Sequence, residues 1–217
     1  MQTLIYELAE RGLANRVLTD SQLARVLAGT DQRRYHLVNR AMKAGELHRL
    51  KRGLYLVDAR FRDYPAHPFA LAQAFVAASY VSFETALAHH GWIPEVVRTV
   101  ASVTPATKSL AYEHEVFGRF SFQPLATEPG YFLELVERVQ IDQQVALVAQ
   151  PARALLDLVC ERKVDWQGIK WIVEGLRIGP ESLRKITSAD VRTLALIYKQ
   201  KRVKKFLRSL AQELGHD

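Results

Sequence analysis

The hydrophobic positions of the first sixty residues recur at helical spacing, in short stripes separated by polar breaks. The first stripe predicts a helix over Thr3 to Glu10, with Gly12 at its end. A second helix begins after Thr19, because Thr19 and Gln22 have the spacing of a capping box, in which each side chain accepts from the other residue's backbone amide. The predicted inward face of this second helix holds Leu23, Val26 and Leu27.

A third helix follows almost at once. Gly29 supplies a left-handed residue at the end of the second helix, and Thr30 caps a helix that runs from about Asp31 to Ala44 and stops at Gly45. Two helices joined by so short a turn are typical of a helix-turn-helix.

The two faces of this third helix differ in chemistry. The apolar face groups Leu37, Val38, Ala41 and Met42, with Tyr35 at its margin. The other face carries three positive charges and no acid, and it consists of Arg33, His36, Asn39, Arg40 and Lys43. Arg, Asn, Gln and His are the side chains that read purine edges in a major groove, whereas a solvated helix usually mixes Glu with Lys. With Thr30 and Gln32, this face predicts a DNA recognition helix; a basic surface helix without a ligand is the alternative. Arg34 points toward the apolar side but lies in the first turn, from which it can reach a phosphate.

Two short alternating segments come next, Glu46 to Leu50 and Leu54 to Val57, on either side of a turn that contains Gly53. They predict a β-hairpin, in which Gly53 provides the positive φ. We expect its basic side chains, Arg49, Lys51 and Arg52, to lie along DNA phosphates. Helix, helix, basic helix and basic hairpin in this order predict a winged helix-turn-helix DNA-binding domain over residues 1–60.

Residues 61–217 are predicted to form a second domain of the α+β class. A linker is expected over Phe61 to Pro68, which has two prolines and no periodicity. Segments rich in β-branched residues predict an antiparallel sheet of about four strands over Val96–Thr104, Glu115–Gln123, Tyr131–Gln140 and Gln144–Val148. Helices are predicted over Phe69–Ala78 and Phe83–His90, and another helix begins at Pro151. Two or three more helices are predicted between Asp165 and Leu214.

No nucleotide-binding, metalloprotease or serine-hydrolase motif occurs in the chain, so we expect no enzymatic activity, no cofactor and no metal. His89 and His90 lack the i,i+4 spacing of a metal pair, and Cys160 lies on an apolar helix face; packing roles are expected for all three. The charged residues of the same helix are interpreted as a solvated face rather than a catalytic group: Arg153, Asp157, Glu161, Arg162, Lys163 and Asp165.

Charge is the compositional feature that changes this picture. The 217 residues carry a net charge of +7. Residues 1–60 hold 11 Lys and Arg against 6 acids, residues 61–198 hold 13 against 15, and residues 199–217 hold 6 against 2. Two basic ends suit a polyanion such as nucleic acid. The single cysteine, the amphipathic start and the absence of a long apolar run predict a cytoplasmic protein with no membrane insertion.

The basic tail from Lys199 is predicted to form an amphipathic helix, with Val203, Phe206, Leu207 and Leu210 on its apolar stripe. This apolar stripe is expected to pack against the rest of the protein. For the basic face, three interpretations stay open: a second DNA contact, contact with an acidic surface or membrane, or an ordinary terminal helix.

Three segments, in this order, resemble the AbiEi family, the antitoxins of the AbiE abortive-infection toxin–antitoxin systems, also called type IV. They are Lys51 to Tyr55, Tyr80 to Leu87 with His89-His90-Gly91, and Gln150 to Asp157. The resemblance covers most of residues 1–165. It implies a phage-defence antitoxin whose winged helix binds inverted repeats in its own promoter and represses the operon. It also implies that the second domain counteracts a neighbouring nucleotidyltransferase toxin, without a stable complex between the two.

Within these segments only the winged-helix positions receive a functional role; Ser82 is interpreted as a helix cap. Three alternatives remain. One is a winged-helix module that contacts protein, one is a general transcriptional regulator with no toxin partner, and the third is a nuclease that uses the acids of the second domain, Asp157 above all.

Overall fold

The protein is described by a computed structural model that covers residues 4–27 and 29–216. The chain divides into two compact units, residues 1–75 and 76–217. The segment predicted as a linker, 61–68, is therefore followed by one more helix of the first unit. The predicted start of the first helix, at Thr3, lies outside the described residues.

The first unit combines helices with a small antiparallel sheet. Its elements are α1 (Leu4–Glu10), β1 (Leu18–Thr19), α2 (Asp20–Val26), α3 (Asp31–Lys43), β2 (Leu47–Lys51), β3 (Leu54–Val57), a 3-10 turn (Ala59–Phe61) and α4 (Pro68–Phe75). The sheet order is β1-β3-β2, with β3 between the other two strands. The core draws on each of the helices α1 to α3 and on all three strands, and includes Leu8, Leu18, Leu23, Val38 and Val57.

Local sequence signals explain the helix boundaries in this unit. The capping box of α2 is present: Gln22 N–H donates to Thr19 Oγ1 at 3.2 Å, and Thr19 N–H donates to Gln22 Oε1 at 2.8 Å. Thr30 caps α3 by accepting from Arg33 N–H at 3.3 Å. Gly29 has the predicted positive φ, +109°. These predictions are confirmed. Each of them depends only on residues within one or two turns of each other, so the local sequence was enough to make it.

The second unit is also mixed. It contains β4 (Tyr80–Val81), α5 (Phe83–His89), β5 (Thr99–Thr104), β6 (Leu110–His114), β7 (Gly118–Pro124), β8 (Val136–Ile141), β9 (Gln144–Ala149), α6 (Pro151–Arg162), a π-helical turn (Trp171–Gly175), α7 (Pro180–Leu183), α8 (Ser188–Ile197) and α9 (Lys201–Glu213). The α+β class predicted for the chain is confirmed. No helix in the described ranges is long and apolar enough to cross a membrane.

The sheet of the second unit differs from the predicted one. It has six strands in the order β6-β7-β5-β4-β9-β8, and β5–β7 and β4–β9 are parallel pairs, so the prediction of an antiparallel sheet is wrong. β-branched runs mark strands but carry no information on which strands pair. The two-residue strand β4 joins the halves of the sheet between β5 and β9, and it is too short for its pattern to reveal this central position.

Helix α6 is buried where it carries Arg153 and Asp157, and the prediction that these two residues lie on a solvated face is wrong. Arg153 and Asp157, one turn apart, are both 0% exposed. Arg153 Nε donates to Asp157 Oδ1 at 2.9 Å, and Asp157 also accepts from the hydroxyls of Tyr80 at 3.0 Å, Ser82 at 2.7 Å and Tyr198 at 2.7 Å. Burial and the charge of Asp157 raise the pKa of both tyrosines, so the phenols stay protonated and act as donors.

The remaining hydrogen bonds of this buried network satisfy the guanidinium. Arg153 donates to the Glu134 carbonyl oxygen at 3.1 Å and to the Tyr80 hydroxyl at 2.6 Å. Burial by itself lowers the pKa of Arg153, but the adjacent charge of Asp157 outweighs burial, so the net effect is to raise it. Ser82 occupies the N-cap position of α5, as predicted, but its hydroxyl donates to Asp157 and makes no capping bond to the helix.

Candidate nucleic-acid interface

The exposed face of α3 presents a ridge of polar side chains. Val38 and Ala41 anchor the opposite face in the core. The ridge follows helical neighbours three or four residues apart and consists of Gln32, His36, Arg40 and Lys43, all exposed. The side chains of Arg40 and Lys43 form no hydrogen bond or ion pair with any residue that the structure describes. We call this set the α3 ridge.

The other predicted positions on α3 are engaged elsewhere. Arg33 is exposed, but its side chain packs beside Gly29 and lines a cavity of about 410 Å³ together with Glu7 and Glu10 of α1. Arg34 is ion-paired with Asp31, and Asn39 is half-buried. Arg33 and Arg34 therefore do not belong to the α3 ridge. Arg40 is the arginine of the ridge and the one whose guanidinium is available to a ligand.

The tip of the β2–β3 hairpin is fastened to the start of α2. Gly53 has φ +76°, and a Cβ there would come within 3.0 Å of the Asp20 carboxylate. The backbone N–H of Asp20 donates to the Gly53 carbonyl oxygen at 3.2 Å. Tyr55 hydrogen-bonds the same carboxylate; its pKa is raised first by burial and then by the charge of Asp20. The hairpin is thus held in one orientation relative to α2.

The three basic side chains of the hairpin have different surroundings. Arg49 and Arg52 are exposed. Lys51 is half-buried, and its Nζ donates to the backbone carbonyl of Phe75, at the end of α4, at 2.5 Å. A lysine held on a helix C-terminus is stabilised there by the unpaired carbonyl and the helix dipole. The structure gives Lys51 a role in packing α4, and it leaves Arg49 and Arg52 as the cations available at the hairpin.

The base of the hairpin is braced by a carboxylate that the sequence pattern did not reveal. Asp58 lies 2.7 Å from His48 Nε2 and accepts from Arg60 Nε at 2.6 Å and from Arg60 N–H at 3.1 Å. Arg60 also donates to the Gly45 carbonyl oxygen at 2.7 Å, beyond the end of α3. The hydrogen bonds from Arg60, followed by that of His48, hold the pKa of Asp58 far below its usual range.

We expect this brace to make the first unit less stable in acid. Because the pKa of Asp58 is depressed on folding, its stabilisation is fully present above about pH 5 and is lost as the pH falls below the unfolded pKa near 4. Asp58→Asn should lower the free energy of unfolding by about 1 to 2 kcal/mol at pH 7 and by less at pH 3. Urea titration monitored by circular dichroism at both pH values measures the difference. The control is Asp63→Asn, at an exposed acid of the same unit whose hydrogen bond from Asn15 Nδ2 an asparagine oxygen can still accept. Equal losses of stability for Asp58→Asn at the two pH values would contradict the role given to the Asp58 carboxylate.

The two adjacent histidines of the second unit have different surroundings. His90 Nε2 lies 3.0 Å from the Ala149 carbonyl oxygen and serves packing, as expected, whereas His89 is exposed. Within the described ranges, no three His, Cys, Asp or Glu side chains are grouped so as to hold a metal ion. Cys160 is buried, and burial raises the pKa of its thiol to about 12, as expected for a structural cysteine.

Comparison with known proteins adds nothing to this geometry: no family model matches the chain, and no curated protein is significantly similar to it.

Proposed function

We propose that this chain is a sequence-specific DNA-binding repressor whose first unit is a winged helix-turn-helix, with α3 as the recognition helix and the β2–β3 hairpin as the wing. The observation that supports this best is the α3 ridge. It combines two cations, an amide and an imidazole on one exposed helix face, and neither of its cations is neutralised by a described residue. A helix of 13 residues is long enough to lie in a major groove.

The roles follow from the surroundings of each side chain. Arg40 is placed to bind a guanine through O6 and N7, and Gln32, His36 and Lys43 contact neighbouring bases or phosphates. Arg49 and Arg52 contact phosphates from the wing, and Thr30 sets the start of the recognition helix. Lys51 and Arg34 serve the fold of the unit, since both are already bonded within it.

We further propose that the protein is the antitoxin of a type IV system that represses its own promoter and counteracts a nucleotidyltransferase toxin without a stable complex. The support is that two of the three segments that resemble the AbiEi family meet in the buried network of the second unit. Tyr80 and Ser82 belong to one segment, Arg153 and Asp157 to the other, and they are directly hydrogen-bonded. Residues that the resemblance singles out thus meet in one buried network of the second unit.

Arg52→Ala should weaken binding to an operator duplex and to a scrambled duplex by the same factor, because a phosphate contact carries no sequence information. The slope of log K against log salt should fall by about one. Fluorescence anisotropy at several salt concentrations measures both. Arg98→Ala, which removes an exposed arginine from the second unit, is the matched control and should leave the slope unchanged. A loss confined to the operator would assign Arg52 to base recognition instead.

The antitoxin role predicts that a gene beside this one encodes a nucleotidyltransferase toxin. It is tested by co-expressing that toxin with the chain, under a promoter that the protein does not control. We expect the wild-type chain to restore growth. Arg40→Ala should restore it equally, because neutralisation is assigned to the second unit. Growth arrest in the presence of the wild-type chain would refute the antitoxin role while leaving DNA binding open.

A further inference from the structure

The last two helices, α8 and α9, enclose a groove that the proposed DNA contacts do not use. They are joined by three residues, Tyr198 to Gln200, and form a helical hairpin. The cavity between them measures about 480 Å³, within the range of ligand-binding pockets. Val191 and Ala195 line it from α8, and Leu207 and Ala211 line it from α9. We call this the α8–α9 groove.

The rim of the α8–α9 groove is basic. Lys204 and Arg208 border it along α9, and His216 closes one end through its contact with the Ile186 carbonyl oxygen at 2.7 Å. The lining residues that the structure describes include no carboxylate. Lys204 Nζ has no partner among the described residues, and Arg208 makes one long hydrogen bond, 3.5 Å, to the Lys204 carbonyl. A ligand with acidic side chains on either side of an apolar stripe would complement this surface. Its stripe would meet the apolar floor, and its carboxylates would meet the unpaired cations.

The packing of α9 argues against a lipid partner. Its apolar stripe docks on the second unit, as the sequence predicts: Val203, Phe206, Leu207 and Leu210 are each at most 2% exposed. An interfacial helix inserts its whole apolar stripe into the bilayer, whereas this stripe is already packed within the unit and only its edge at Leu207 and Ala211 borders the groove. A nucleic acid would need only the cations and would leave the apolar floor unused.

We propose that the α8–α9 groove binds an acidic amphipathic helix of a partner protein. Its apolar residues enter the groove against the exposed Ala195 and the half-buried Val191 of α8, above the edge of the α9 stripe, and its carboxylates pair with Lys204 and Arg208. This is the helix-in-groove mode, in which residues at i, i+3, i+4 and i+7 anchor the ligand. With 13 residues, α9 is about 20 Å long, which matches about three to four turns of a partner helix.

A fluorescein-labelled helical peptide of about 16 residues, with Leu at i, i+3, i+4 and i+7 and Glu at most other positions, is a direct probe. Anisotropy titration with the full chain should give micromolar binding. A scrambled peptide of the same composition should bind at least about tenfold more weakly, because it has no apolar face. Ala195→Trp, at an exposed position of the floor, should fill the groove and abolish binding.

Two charge-reversed variants distinguish binding in the α8–α9 groove from general electrostatic attraction of the peptide to α9. Lys204→Glu with Arg208→Glu should weaken the peptide at least about tenfold. Lys201→Glu with Lys205→Glu makes the same change of charge at exposed positions of α9 outside the groove and should weaken it less than about threefold. Circular dichroism melting checks that each variant is folded.

Three results would overturn the proposal: no binding of the amphipathic peptide, equal binding of the scrambled peptide, or equal loss in both charge-reversed variants. The last two would make α9 a general anion-binding surface. Duplex DNA binding by the first unit is expected to be unchanged by Ala195→Trp, so the outcome is independent of the DNA-binding proposal.

Discussion

Asp157→Ala is expected to lower the free energy of unfolding of the second unit by about 3 to 5 kcal/mol. The reason is the environment of Arg153, whose permanently charged guanidinium is fully buried and is ion-paired with that one carboxylate. Removing Asp157 also leaves the hydroxyls of Tyr80, Ser82 and Tyr198 without their acceptor. Each buried polar group that loses its partner adds to the cost.

Urea denaturation monitored by tryptophan fluorescence measures this effect, because all three tryptophans, Trp92, Trp166 and Trp171, belong to the second unit. Asp165→Ala is the matched control: that acid is exposed, and its ion pair with Arg202 is a 3.4 Å contact. We expect the control to change stability by less than about 0.5 kcal/mol. A loss below about 1 kcal/mol for Asp157→Ala would contradict a buried, charge-paired network.

Arg40→Ala is expected to weaken binding to the operator by about 1 to 3 kcal/mol, a factor of roughly 5 to 150. Arg40 lies on the α3 ridge with no partner among the described residues, so its guanidinium is available to a guanine. The affinity of this variant for a scrambled duplex should fall only by the part that comes from the lost positive charge. The preference for the operator is therefore expected to fall along with the affinity.

Arg33→Ala provides the comparison for this prediction, since it removes the same side chain from the same helix. The Arg33 side chain lies beside Gly29 and the acids of α1, so the effect on the operator should be clearly smaller than for Arg40. Anisotropy titrations of the wild-type chain and both variants on the two duplexes give the six affinities that are compared. Equal losses on operator and scrambled DNA for Arg40→Ala would assign that residue to a phosphate.

Features that depend on neighbours in sequence could be predicted from the chain alone. The capping box at Thr19, the cap at Thr30, the hairpin turn at Gly53 and the helix opened by Pro151 all follow from residues a few positions apart. The apolar stripe of α9 is equally local, because its period of 3.6 residues fixes the buried face.

Features that depend on distant residues could not be predicted. Arg153 and Asp157 have the i,i+4 spacing of a surface ion pair, and their burial depends on hydroxyls that are distant in sequence, those of Tyr80, Ser82 and Tyr198. The sequence pattern does not distinguish Lys51 from Arg52, yet Lys51 Nζ donates to the backbone carbonyl of Phe75. The parallel pairing of β5 with β7 and β4 with β9 is likewise set by packing across the whole unit.

The central claim is that the first unit recognises DNA through the α3 ridge and the hairpin tip. The most direct measurement is the affinity of the wild-type chain for a duplex containing the inverted repeats of its own promoter, and for a scrambled duplex, across a range of salt concentrations. We expect a marked preference for the promoter duplex, with affinity that falls steeply as salt increases. Equal affinity for both duplexes, or binding that does not respond to salt, would contradict the claim.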